Sequence, residues 1–139
     1  MMHRIQPGIA CLGLLVFAAA QVNAHHSAAA FDPQAEFTTE ATVVDWRWTN
    51  PHCLLRFVVK GQGQKADQTW VAETSNPADM ERRGWVRNQL KAGDVITITV
   101  QPSRNGAPVG RVMKVVQSDG KVLPAYGRQP ATTAPSPGP

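Results

Sequence analysis

Only one stretch of this chain carries the signals of a strong helix start, and that limits its architecture more than anything else in the sequence. In Ser75-Asn76-Pro77-Ala78-Asp79, Asn76 can cap, Pro77 suits the first helical position and Asp79 favours the positive end of the helix dipole. Arg82 and Arg83 suit the other end, and Gly84 supplies a left-handed stop. Trp85, Val86 and Leu90 continue as a second short turn covering one end of a sheet.

The flanks read as short strands. Residues 37–48 supply Thr38, Thr39, Thr42, Val43, Val44, Trp46 and Trp48, all β-branched or aromatic. The adjacent Val43-Val44 breaks the two-residue alternation, so a bulge or bend is expected there. Thr49-Asn50-Pro51 ends this strand, because Asn-Pro starts turns and proline cannot donate to a ladder. Residues 52–60 form a second strand with Leu54, Leu55, Phe57, Val58 and Val59. Residues 69–74 form a third after the glycine-containing loop at Gly61-Gln62-Gly63-Gln64. Beyond the helix, Lys91-Ala92-Gly93-Asp94 turns into residues 95–101, where Val95, Thr97 and Thr99 face away from Ile96, Ile98 and Val100. Pro102-Ser103-Arg104-Asn105-Gly106 is a loop, residues 109–117 a fifth strand, Ser118-Asp119-Gly120 a tight turn and residues 121–126 a last short strand.

The fold class is therefore all-β with one short helix, in the order βββαββ. That is the order of the OB-fold, here a small barrel of five to six strands. A β-sandwich or a split barrel of another topology uses the same ingredients, since order alone does not set pairing.

Outside this domain, at residues 37–127, the chain changes character. Residues 1–8 are short with one firm positive charge, Arg4. Residues 9–20 are apolar, and Val22-Asn23-Ala24 presents small or apolar residues where a signal peptidase reads. The apolar run is too short to span a bilayer, which takes about 20 residues. Residues 1–24 are thus a secretory signal, and the expected location is periplasmic or secreted. Residues 25–36 form an irregular arm tethered by Phe31, and residues 128–139 a disordered, proline-rich tail. Cleavage removes Cys11 and leaves Cys53 without a partner, so no intramolecular disulfide forms. The formal charge of +4 falls to +3 when Arg4 leaves. The remaining basic residues are scattered, without the stripe or patch that nucleic acid requires. No integral membrane segment is expected after cleavage, and no protein partner is indicated.

Cleavage after Ala24 starts the mature chain at His25-His26. His25 then offers its α-amine and imidazole to one metal ion. His26 offers a second mode through the amine, a backbone nitrogen and its own ring. Such nitrogen sets suit Cu(II), which tops the divalent affinity order. His52 follows the Asn-Pro turn at the edge where OB barrels bind ligands, so His25, His26 and His52 are the candidate metal ligands. Two histidines at a cleavage junction also serve as a polar start, and His52 also suits a hydrogen bond to its turn. Trp46 and Trp48 share a strand face and, with Asn50 and Arg56, are the candidate ligand-binding residues; core packing is the competing role of the tryptophans. Met80 and Met113 each stand alone. Cys53 and His52 point to opposite faces, which removes a nucleophile–base dyad. No catalytic motif occurs, and no catalytic residue is assigned.

With these residues in view, the chain resembles a family of uncharacterised secreted bacterial proteins that share a domain of unknown function. The matching pieces are Ala24-His25-His26-Ser27, Phe31-Asp32, Trp48-Thr49-Asn50-Pro51-His52, Ser75-Asn76-Pro77, Arg82-Arg83-Gly84-Trp85 and Leu90-Lys91 followed by Gly93-Asp94. Ala28 departs from the aromatic that relatives usually carry after the serine. The resemblance implies a periplasmic or secreted OB-like domain and no particular activity. A looser analogy runs to small periplasmic OB-barrel copper chaperones, although their clustered methionines are missing here. The leading expectation is a small binding protein holding copper through His25. The alternative is a metal-free ligand- or protein-binding module, and an oxidative copper enzyme stands third.

Overall fold

The structure, a computed structural model, describes residues 29–127. The expected signal, His25, His26 and the proline-rich tail lie outside the described residues. A short 3₁₀ turn, Pro33–Ala35, precedes six strands: β1 (Phe37–Arg47), β2 (Leu54–Val59), β3 (Gln68–Glu73), β4 (Val95–Pro102), β5 (Val109–Gln117) and β6 (Val122–Pro124). One short α-helix, α1 (Pro77–Arg82), lies between β3 and β4.

β1 is long enough to serve two partners. Its first half pairs antiparallel with β4, and its second half with β2. Ala41 and Val43 point inward. Val43 then faces Phe57 while Asp45 faces Arg56, which leaves Val44 as an extra residue. The phase break in the sequence is this bulge. It moves the inward set from odd to even positions, so that Trp46 packs against the core.

β2 pairs with β3, and β4 with β5, all antiparallel. Closure comes from a parallel pairing of β3 with β5, in which Val71, Ala72 and Glu73 face Val109, Gly110 and Arg111. The result is a closed five-stranded barrel in the order β1-β2-β3-β5-β4. β6 takes the edge of β5 at Lys114–Val116, beyond the point where β3 leaves it. This is the OB-like architecture that the element order predicts.

Leu55, Phe57, Ala72, Ile96, Ile98, Val100, Val112 and Val115 fill the interior. α1 closes one end. Asn76 Oδ1 accepts from the Asp79 N–H at 3.0 Å, a cap that contributes about 1 kcal/mol. The helix buries Met80, and the chain after Gly84 returns Trp85 to the core at 1% exposure. The Trp85 indole N–H donates to the Pro124 carbonyl at 2.9 Å, which ties β6 to the plug. Among the described residues, no helix is long and apolar enough to cross a membrane.

The arm docks where Phe31 suggests. Phe31 is 9% exposed and bridges to Ser103, and the Asp32 N–H donates to the Pro102 carbonyl at 2.8 Å. Arg104 returns two bonds, from its backbone N–H to the Ala30 carbonyl at 3.0 Å and from Nε to the Ala29 carbonyl at 3.2 Å.

Two stability predictions follow from the packing. A Cβ at Gly110 would lie 2.4 Å from Val100 Cγ1 and 2.8 Å from the Gln101 carbonyl oxygen, at the seam where β4 and β5 pair. Gly110→Ala should therefore lower the urea midpoint, by about 1–3 kcal/mol of stability; an unchanged midpoint would show that the seam relaxes freely. Cys53 is 0% exposed, and burial pushes its thiol pKa up against weaker opposing hydrogen bonds from Thr49 and Thr74. A thiol reagent under mildly alkaline conditions should leave native protein unmodified and label it on unfolding. Rapid labelling of the native protein would mean that this end of the barrel opens.

Candidate functional site

His52 lies between the Asn50-Pro51 bond, which is cis, and the buried Cys53. The β2–β3 ladder continues past the named strands here. The Cys53 N–H donates to the Ser75 carbonyl at 3.0 Å, and the Thr74 N–H to the Cys53 carbonyl at 2.8 Å. Cys53 therefore faces the interior, and His52 takes the outer side, where it is half-buried. Its Nδ1 lies 3.0 Å from the Thr74 carbonyl oxygen. That oxygen only accepts, so Nδ1 carries a proton, and the tautomer this bond selects has its lone pair on Nε2. The ring is thus oriented by Thr74, the residue after β3, rather than by its own Asn-Pro turn.

Trp46 and Trp48 meet edge to face at 5.9 Å, and Trp46 also lies against Trp85 at 5.3 Å. Both pack against the core, as the competing structural role requires. The Trp46 Nε1 is buried without a hydrogen-bond partner among the described residues. Trp48 has a second side. With Thr49, Asn50, Pro77, Ala78, Glu81 and Arg87 it lines an open cleft of about 560 Å³ between the β1–β2 connection and α1. The structure therefore brings Trp48 and Asn50 together, packs Trp46 edge to face against Trp48 without lining the cleft, and leaves Arg56 elsewhere. Arg56 lines a separate hollow of about 140 Å³ on the outer sheet face with Asp45, Arg47, Leu54 and Val71. His52 lines neither.

Glu81 and Arg87 complete the cleft and were not among the sequence candidates. Glu81 is one charged position on a short helix and Arg87 one in a turn, so only the packing of α1 against the β1–β2 connection gives them meaning. Among the described residues, no group of three or more His, Cys, Asp or Glu side chains could hold a metal ion. Met80 is core.

No curated protein and no solved structure matches the chain. A sequence model of a family of unknown function, DUF6152, matches residues 13–112, a span that takes in His25, His26, His52 and the cleft through Arg87. The chain belongs to this family, DUF6152.

Proposed function

We propose that this protein is an exported OB-like barrel that holds a divalent transition-metal ion, copper, through its mature N-terminus. In this reading His25 supplies the α-amine and imidazole, and His52 Nε2 or His26 adds nitrogen. The observation that carries it is the pinned ring of His52. A metal-binding histidine usually donates its other ring N–H to a carbonyl or carboxylate, and His52 Nδ1 does so to Thr74.

The tripartite leader at residues 1–24 supports export in this reading.

Protein exported from cells should begin at His25 by N-terminal sequencing and bind Cu(II) with nitrogen hyperfine structure in its spin-resonance spectrum. His25→Ala or N-terminal acetylation should weaken binding at least tenfold, about 1.4 kcal/mol, and His52→Ala should alter the spectrum. Amine and imidazole must both shed protons to bind the metal, so binding should weaken as pH falls. Equal affinity in the His25→Ala protein would overturn the reading.

The cleft at Trp48 favours a second reading, a metal-free ligand- or protein-binding module. Its aromatic wall stands beside one acidic and one basic side chain, Glu81 and Arg87. A defined complex that is indifferent to chelator and lost in Trp48→Ala would establish that reading over the first.

A further inference from the structure

Arg111 is where the two ends of the described chain meet. Its guanidinium carbon lies 4.9 Å from the Phe31 ring centroid and 4.6 Å from that of Tyr126, so the cation is held between two rings. One ring belongs to the arm and the other follows β6. On the outer face of the barrel, Arg111 stands opposite Glu73 across the parallel closure, with Nε 3.9 Å from Glu73 Oε1. The side chains are only 17% and 19% exposed.

At 3.9 Å the two charges attract but do not hydrogen-bond. Arg111 Nε and Glu73 Oε1 are both buried without a hydrogen-bond partner among the described residues. A desolvated pair with unsatisfied polar atoms is a weak source of stability by itself. The rings compensate, because a guanidinium shielded from water gains most from aromatic faces. Each ring also removes water from the cation on behalf of the other. The Tyr126 phenol senses the same cluster: burial first, then the Glu73 carboxylate, push its pKa up.

We infer that Arg111 is a positioning residue: the Phe31–Arg111–Tyr126 stack clasps the arm onto the β3–β5 seam and so sets where the chain upstream of Ala29 leaves the barrel. The clasp itself is independent of any metal. Its purpose, directing His25 toward His52, rests on the proposed function. The backbone bonds of Asp32 and Arg104 supply direction to the arm, but one joins half-buried residues and the other exposed ones. The stack supplies the buried contact that holds them.

Amide hydrogen exchange separates the clasp from its purpose. The Asp32 and Arg104 N–H groups bridge arm and barrel, and the Thr74 N–H belongs to the barrel alone. In Phe31→Leu, which keeps apolar volume, and Arg111→Lys, which keeps charge, the Asp32 and Arg104 amides should exchange about tenfold faster while Thr74 is unchanged. Unchanged exchange at Asp32 and Arg104 would overturn the clasp. If Arg111→Lys accelerates all amides alike, Phe31→Leu decides, and a uniform acceleration there also overturns it.

The second readout uses Cu(II) as a paramagnetic probe on protein beginning at His25. In the unsubstituted protein, broadening should centre on the His52 and Thr74 resonances, and both variants should lose that focus. Broadening that stays on His52 in the variants would overturn the positioning role. If Cu(II) never broadens His52, the metal reading loses that ligand, and the exchange data still decide the clasp.

Discussion

Three residue pairs close this barrel. Where Val71, Ala72 and Glu73 lie parallel to Val109, Gly110 and Arg111, the sheet curls from an open ribbon into a cylinder. A parallel pair needs a crossover between its strands, and α1 with β4 provides it. The interior then requires a plug, because β3 and β5 part after Glu73 and Arg111. Met80, Trp85 and Leu90 fill that end, and β6 takes the edge that β3 vacates. Gly110 permits the closure, since β5 approaches Val100 and Gln101 too closely for a side chain.

Local chemistry made much of this legible in advance. The Val43-Val44 phase break located the bulge, Asn76-Pro77 located the helix, and the alternation of Ile96, Ile98 and Val100 identified the inner face of β4. These are short-range signals, each decided by a neighbour one to four residues away. Phe31 also announced its docking, being a lone aromatic in an alanine-rich arm. The clasp was not legible. Arg111 acquires its role only from the register of β3 on β5 and from two rings 80 residues before and 15 residues after it. Glu81 and Arg87 were hidden for the same reason, as surface charges until α1 meets the β1–β2 connection.

The barrel separates two candidate surfaces. The Trp48 cleft lies between the β1–β2 connection and α1, backed by Trp46 and Trp85. The other surface is the outer face from His52 past Glu73 to Arg111, where the Phe31 ring of the docked arm lies over the Arg111 guanidinium. Trp48 and His52 are near in sequence yet serve different surfaces, because Asn50-Pro51 reverses the chain between them. A substitution in one surface therefore need not disturb the other, which makes the two functional readings separable on a single molecule.

The wall of the barrel also governs which metal chemistry is open to the outer face. His52 and Cys53 are adjacent, but the imidazole lies outside while the thiol faces the core with its pKa raised by burial. A thiolate is the soft ligand that would favour Cu(I), and here it is both protonated and screened from the ring beside it. Met80, a thioether, is likewise buried. What His52 offers on the outer face is an imidazole nitrogen, a borderline donor suited to Cu(II) and Zn(II) alike. An α-amine with a second imidazole would shift that balance toward Cu(II), the strongest binder of nitrogen sets among the divalent ions. In the proposed site the selectivity would therefore belong to the N-terminal amine and imidazole, and the barrel would contribute a fixed ring at His52.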